Sequence, residues 1–119
     1  MTIEPSGAPQ LSLVWVGVEG DDLLTAHLDE RRKLQNIRRD PRVAVSFQGT
    51  EVRPPGLLEY LVVHGTARVE EGGAPELLQE LAHVYLGPDV KFPPMDDPPP
   101  GFRIRISVER FRGIGPWAD

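Results

Sequence analysis

The sequence contains no cysteine, which excludes a disulfide framework, a thiolate zinc site and a cysteine nucleophile. It also lacks any run of about 18 apolar residues, the minimum for a transmembrane helix. Residues 1–6 carry neither a basic region nor an apolar stretch, so we expect no signal peptide and a cytoplasmic location. The net charge of -5 argues against general nucleic-acid binding.

Glycine and proline, in contrast, are abundant, with 12 and 13 residues among 119. This composition favours many turns and short elements. With 39% hydrophobic residues, the chain is long enough to bury one core and too short for two. We therefore expect a single domain over residues 1–119.

Alternating apolar residues and turn signals predict a mainly β chain of about six strands. The predicted strands are 10–18, 23–28, 42–47, 57–70 with a bend at Gly65, 102–108, and a last strand and tail over 109–117. Tight connections, such as the hairpin turn at 19–22, favour antiparallel pairing. A small closed or split barrel fits this order better than a doubly wound sheet.

Two short helices interrupt the strands. The first is expected over residues 31–39, with Asp29 as its N-cap, and must end before Pro41. The second begins at Pro75 and ends at Gly87-Pro88. Loops are predicted over residues 48–56 and over the proline-rich segment 88–101.

Nearly half of the basic residues are concentrated in one short segment. Six of the 13 lysines and arginines lie between positions 31 and 42: Arg31, Arg32, Lys33, Arg38, Arg39 and Arg42. Three of them fall in the first turn of the predicted helix, where the helix dipole disfavours cations. A bound anion would neutralise them, because helix N-termini bind anions. The alternative is a basic helix face exposed to solvent.

No other group of residues predicts a catalytic or metal site. His27, His64 and His83 lack the spacing of metal ligands. The turn pair Asp21-Asp22 does not resemble an acid–base dyad, and Ser12 has no nucleophile-elbow setting. We therefore predict no catalytic side chain and no metal.

Two stretches of the chain carry a family resemblance. Residues 9–15 (PQLSLVW), followed by a hairpin and by residues 31–43 (RRKLQNIRRDPRV), resemble the pyridoxamine-phosphate-oxidase-like split-barrel family. The similarity is greatest to its actinobacterial branch of deazaflavin (coenzyme F420)-dependent reductases. Its most specific part is the pattern R-x-K-x-x-N-[LI]-x-x-D-P-R at residues 31–42. Residues 65–69 and 112–117 are similar to the same branch.

The start of the chain departs from the family pattern. Family members usually begin with a helix and a full first strand, which ends in a motif such as P-D-G-x-P-Q. Residues 4–10 correspond to that ending. The resemblance thus implies that the N-terminal helix and most of the first strand are absent. Either the start is trimmed, or the first strand is reduced to residues 1–3.

The resemblance implies a homodimer with cofactor sites at its interface, and chemistry performed by the cofactor. It assigns Gln10, Leu11, Ser12, Leu13 and Val14 to the cofactor ring. It assigns Ala26, Arg31, Arg32, Lys33 and Asn36 to the phosphate end. Further contacts are implied from Leu58 and Tyr60 on the long strand and from Arg112 and Trp117 in the tail.

The implied activity is that of an oxidoreductase that uses coenzyme F420 for hydride transfer to a small unsaturated organic substrate. Two alternatives stay open: an FMN-binding oxidase or reductase, and a non-catalytic flavin or deazaflavin binder. The loop over 88–101, with Lys91, Phe92 and Met95, is the expected specificity element, because loops on a rigid scaffold shape binding pockets. No nucleic-acid or membrane partner is expected.

Overall fold

The computed structural model describes residues 1–116, which form seven strands and two helices. In chain order these are β1 (Thr2–Ile3), β2 (Pro9–Gln10), β3 (Gly17–Glu19), β4 (Asp22–His27), α1 (Arg32–Arg39), β5 (Arg42–Arg53), β6 (Leu57–Glu71), α2 (Ala74–Tyr85) and β7 (Phe102–Ile114). Strands β1 and β2 form a small antiparallel ribbon, and the other five form one antiparallel sheet in the order β3-β4-β7-β6-β5. The mainly β architecture with a curled antiparallel sheet is the split barrel predicted from the sequence.

The two helices cover opposite faces of this sheet, because neighbouring residues of a strand point to opposite sides. On β4, Leu23 packs toward the cluster around α1, whereas Leu24 and Ala26 pack beneath α2. The first cluster contains Leu34, Ile37, Val43, Ala67, Ile104 and Ile106. The second contains Leu24, Ala26, Ala74, Leu77 and Leu81.

The predicted bend at Gly65 is confirmed as an irregularity in the pairing of β6 with β7. The register shifts between His64 and Gly65. A Cβ atom at position 65 would lie 2.2 Å from the backbone oxygen of Ser107, so only glycine fits there. The bend helps to curl the sheet.

The prediction of one continuous strand over 10–18 is wrong. Strand pairing is found only at Pro9–Gln10 and Gly17–Glu19, and residues 11–16 lie between them without strand pairing. Tertiary contacts replace the sheet ladder in this segment. The hydroxyl of Tyr85 accepts a hydrogen bond from Val16 N at 3.1 Å and donates one to Val16 O at 3.2 Å. The apolar residues that suggested a strand instead line clefts, as described below.

Helix α1 begins later than predicted, because Asp29 is not its N-cap. Arg31 occupies that position with no side-chain cap, and the helix runs from Arg32 to Arg39. Asp29 instead forms an exposed ion pair with Arg31 at 3.7 Å. The end of the helix before Pro41 is confirmed, as are α2 and the absence of helix or strand over 88–101.

Two strands are longer than predicted. The polar stretch 48–56 is not a loop, because β5 continues through an irregularity to Arg53 and only residues 54–56 form the turn. An ion pair of 2.5 Å between Arg53 and the buried Glu59 joins the two strands there. Strand β7 likewise runs unbroken over 102–114, so the predicted division at 108/109 is wrong. No helix among residues 1–116 is long and apolar enough to cross a membrane.

Candidate cofactor site

A cleft of about 610 Å³ follows the outer edge of β5. Strand β5 pairs with β6 on one side, and on its other edge Ala44 exchanges backbone hydrogen bonds with Met1. The unpaired segment 11–14 and helix α1 form the opposite wall. The lining includes Gln10, Leu11, Ser12, Leu13, Val14, Lys33, Val62, Tyr85 and residues 43–48. Five residues predicted to contact the cofactor ring, Gln10 to Val14, therefore lie together.

Lys33 projects from the first turn of α1 into this cleft. Its ammonium group donates a hydrogen bond of 2.8 Å to the hydroxyl of Ser12, and it forms no ion pair with any residue in the range 1–116. Partial burial, followed by repulsion from Arg31, lowers its pKa. A half-buried cation beside a neutral hydroxyl gains stability when an anion binds.

Neighbouring titratable groups report the same positive potential. Burial, Lys33 and Arg31, in that order, lower the pKa of His27 from 6.5 to about 4. Burial and then Lys33 lower the pKa of the Met1 amino group. Burial is the largest cause of each shift and Lys33 the next, so Lys33 adds a positive potential around itself that an anion would offset.

Asn36 is buried and does not line the cleft. Only 1% of it is exposed, and its amide donates to the hydroxyl of Thr2 at 3.0 Å. Thr2 in turn donates to the side-chain oxygen of Gln10 at 2.8 Å. This chain of hydrogen bonds fixes the β1–β2 ribbon on α1 and places Gln10 at the cleft. Arg32 pairs with Glu4 at 3.1 Å and lines neither this cleft nor the pocket described below.

The other predicted residues lie farther along the sheet. Tyr60 pairs with Gln48, and Arg112 pairs with Val62, so each neighbours a residue that lines the cleft. Leu58 lies one step beyond and pairs with Val52. All three are exposed, and none of them lines the cleft. Trp117 lies outside the described residues.

A second pocket of about 310 Å³ adjoins the cleft and shares Leu13, Val14 and Lys33 with it. The remaining lining residues are Trp15, Ala26, His27, Arg31, Leu78 and Phe92. Ala26 and Arg31 thus line the second pocket and not the cleft, while Leu13, Val14 and Lys33 line both spaces. His27 was missed in the sequence, since only its proximity to the basic run signalled a role. Of the loop residues singled out, Phe92 lines the pocket and Lys91 and Met95 do not.

Comparison with known proteins identifies the family of this chain. The family model described as pyridoxamine 5'-phosphate oxidase matches residues 1–114. The chain belongs to the pyridoxamine 5'-phosphate oxidase family. Members of this family bind flavins. No curated protein sequence matches the chain.

Solved structures of the same fold support membership of the pyridoxamine 5'-phosphate oxidase family. An F420 reductase is 26% identical with a TM-score of 0.70, over 92% of this chain and 83% of that one. The conserved hypothetical protein Rv2991 from Mycobacterium tuberculosis is 24% identical with a TM-score of 0.69, over 94% and 72%. HupZ from Group A Streptococcus is 19% identical with a TM-score of 0.64, over 99% and 84%. The family and fold are those of flavin- or deazaflavin-binding oxidoreductases.

The residues fit the phosphate-bearing cofactors of this family. Lys33 supplies a cation without a carboxylate partner, Ser12 supplies a hydroxyl, and the segment 11–14 supplies an apolar wall. No cluster of residues within 1–116 could hold a metal ion.

Proposed function

We propose that this chain is an oxidoreductase that uses coenzyme F420 for hydride transfer to a small unsaturated organic substrate. The observation that carries the proposal is the position of Lys33, whose half-buried ammonium faces a cleft with only a hydroxyl as partner. Among the residues that line this cleft there is no carboxylate. A cofactor phosphate would provide the missing negative charge.

In this proposal the protein binds and orients, and the bound deazaflavin supplies the hydride chemistry. Lys33 and Ser12 hold the phosphate, and Arg31 adds positive potential from the neighbouring pocket. Leu11, Leu13 and Val14 offer an apolar surface to the ring. Asn36 positions Gln10 through Thr2. Tyr60, Leu58 and Arg112 would complete the site beyond the cleft, and Arg32 would contribute only if it left Glu4. The contact implied for Trp117 stays a prediction from the sequence.

The choice of coenzyme F420 is supported by the structural neighbour named F420 reductase. FMN is the second candidate, because the matching family model is that of pyridoxamine 5'-phosphate oxidase. A non-catalytic flavin or deazaflavin binder would present the same cleft.

Fluorescence titration of the purified protein with FMN and with coenzyme F420 separates the cofactors. We expect F420 to bind at least about tenfold more tightly, which corresponds to about 1.4 kcal/mol. Tighter FMN binding, or a yellow protein as purified, would favour the FMN alternative. Tight F420 binding without turnover of reduced F420 over a panel of activated alkenes and quinones would favour the non-catalytic binder.

We also propose that the protein forms a homodimer across the cleft. Leu11 is 76% exposed and Leu13 fully exposed, although both line the cleft. Apolar side chains at such a position favour a partner surface. Stable interfaces of this kind bury on the order of 2,000 Å².

Sedimentation velocity at micromolar concentration should show a dimer. Leu13→Asp should shift it to the monomer, whereas Val84→Asp, at a 78% exposed position on the outer side of α2, should not. A monomeric wild type that still binds cofactor tightly would contradict the shared site.

A further inference from the structure

The second pocket has a basic side and an aromatic side, and the two sides come from different parts of the chain. Arg31 and Lys33, which the proposed function assigns to the cofactor phosphate, line the basic side. The aromatic side consists of Trp15, from the segment after β2, and Phe92, from the loop after α2. These two rings pack edge to face, with centroids 5.2 Å apart and planes at 61°. The aromatic pair therefore borders the proposed phosphate end of the cofactor site.

Gln79 on α2 fastens the loop that carries Phe92. Its side-chain amide nitrogen donates a hydrogen bond of 2.7 Å to Val90 O, and its amide oxygen accepts one of 3.0 Å from Phe92 N. One side chain thus satisfies two backbone groups of a loop that forms no helix or strand. Only an amide side chain offers a neutral donor and an acceptor at this reach, so the two bonds are specific to glutamine.

Tyr85, farther along the same helix, fixes the segment that carries Trp15. Its ring stacks on Trp15 with centroids 5.6 Å apart and an interplanar angle of 7°, and its hydroxyl bonds both backbone groups of Val16. Trp15 is therefore held by α2 in two ways: directly by Tyr85, and indirectly by Gln79 through Phe92.

Gln79 lines neither the cleft nor the second pocket, so it acts on a bound cofactor only through other residues. The route leads from its amide to the backbone of Phe92, and from the ring of Phe92 to Trp15. Trp15 directly follows Leu13 and Val14, which line both the cleft and the pocket. A surface that is fixed before its ligand arrives binds with a smaller loss of conformational entropy.

We infer that Gln79 is a positioning residue for the cofactor, which raises the affinity for its phosphate-bearing end by holding Phe92 against Trp15. The inference rests on the proposed function, since it adds a supporting residue to that same site. Gln79 is neither charged nor in contact with the cofactor in this account.

Gln79→Met tests the role, because methionine has a similar length and forms neither bond to the loop. FMN, riboflavin and coenzyme F420 are titrated into wild type and variant. We expect the dissociation constants of FMN and F420 to rise at least about fivefold, and that of riboflavin, which lacks the phosphate, by less than about twofold. The amide nitrogen of Gln79 also lies 3.0 Å from Nε2 of His83. His83→Ala removes this contact alone and is the matched control, which should change none of the three constants.

A double-mutant cycle tests whether Gln79 acts through Phe92. Phe92→Ala alone should raise the FMN dissociation constant at least about fivefold, and Gln79→Met should then add less than about twofold in the Phe92→Ala background. Acrylamide quenching of Trp15 fluorescence, in a Trp117→Phe background without cofactor, should increase in Gln79→Met. Urea denaturation of each variant shows that the titrated protein is folded, and Phe92→Ala tests the same route if Gln79→Met does not fold.

Equal rises for FMN and riboflavin in Gln79→Met would overturn the inference, because a general loosening of the fold affects both ligands. Additive effects of Gln79→Met and Phe92→Ala, or an unchanged FMN constant in Phe92→Ala, would overturn it as well. Failure of the proposed function is distinguishable, because it is visible in the wild type. That protein would then bind neither FMN nor F420, or would bind FMN no more tightly than riboflavin, and the inference would be wrong with it.

Discussion

Two cations of this chain, Arg105 and Lys33, stand in opposite electrostatic surroundings. Arg105 is 12% exposed and donates to Glu70 at 3.1 Å, Asp22 at 3.2 Å and Glu19 at 3.0 Å. Those bonds, the one to Glu70 first, raise its pKa. Lys33 has a hydroxyl as its partner, and its pKa is lowered by burial and by Arg31.

The contrast supports the proposal that Arg105 is a structural charge and Lys33 a binding charge. The carboxylates around Arg105 come from β3, β4 and β6, so this cation joins three strands to its own strand β7. The charge of Arg105 is balanced by carboxylates of the chain itself. Lys33 faces open space, and its charge is balanced only when an anion arrives. A positive charge thus stabilises the fold at Arg105, whereas at Lys33 it favours the binding of an anion.

The largest effect is expected from removal of the paired cation. Arg105→Met leaves Glu70, Asp22 and Glu19 close together without their shared partner, and should lower the free energy of unfolding clearly more than the loss of an unpaired surface arginine does. Urea denaturation measures this loss. The cofactor dissociation constant of the folded fraction should stay the same.

Arg110→Met is the matched control, at an exposed position on the same strand. It should change the free energy of unfolding by less than about 0.5 kcal/mol. Equal losses for the two variants would show that the carboxylate cluster does not distinguish Arg105 from an ordinary surface arginine.

A smaller effect is expected from pH, through His27. Its pKa is about 4 in the folded chain and near 6.5 when unfolded, so the unfolded chain binds the proton first as pH falls. The stabilising contribution is therefore complete above pH 6.5 and is lost as pH decreases toward 4. With allowance for partial exposure, the loss is on the order of 2 kcal/mol.

Urea denaturation at pH 7 and pH 4 should show a smaller difference in His27→Gln than in wild type. His83→Gln, at an exposed position on α2, should behave as wild type. Bound phosphate-bearing cofactor should also reduce the wild-type difference, because its charge offsets Lys33 and Arg31. The same pH dependence in all three proteins would contradict the lowered pKa of His27 in the folded chain.

The smallest effect is expected at Ser12. Ser12→Ala removes a neutral partner of Lys33 but keeps the cation, so the FMN dissociation constant should rise by less than about fivefold, or about 1 kcal/mol. Isothermal titration calorimetry resolves such a change. If Ser12→Ala weakened FMN binding as much as Lys33→Ala, the hydroxyl of Ser12 would be the main partner of the phosphate. Lys33 would then no longer contrast with Arg105 as a binding charge.

The sequence allowed prediction of the parts that local chemistry controls. Pro41 ended α1, Gly87-Pro88 ended α2, and alternation over 102–108 located β7. Prediction from the sequence failed where contacts between residues far apart in the chain determine the backbone conformation. Residues 11–16 have strand composition, yet Tyr85, 69 residues away from Val16, holds their backbone. Asp29 is a favourable N-cap by type, but the helix begins two residues too late for it to cap.

The candidate site was predicted in its chemistry more than in its geometry. The basic run singled out Lys33 and Arg31, which line spaces without carboxylates, because a charge excess is visible in the sequence; their contact with a phosphate stays a prediction. The ion pair of Arg32 with Glu4 and the burial of Asn36 against Thr2 could not be foreseen, since both depend on how the β1–β2 ribbon folds onto α1. The position of Leu13 and Val14 between the cleft and the second pocket could not be foreseen from the sequence either.

The unpaired charge of Lys33 is tested most directly with two flavins that differ only by the phosphate. The chain has two lysines, Lys33 and the exposed Lys91, so Lys91→Ala is the matched control for Lys33→Ala. FMN and riboflavin are titrated into wild type and both variants. A charged hydrogen bond contributes roughly 1.5–3 kcal/mol, so Lys33→Ala should raise the FMN dissociation constant about 10- to 150-fold. The riboflavin constant should change by less than about twofold, and Lys91→Ala should change neither. If Lys33→Ala weakened FMN and riboflavin equally, or left both unchanged, Lys33 would not be the phosphate partner and the account of the site would be wrong.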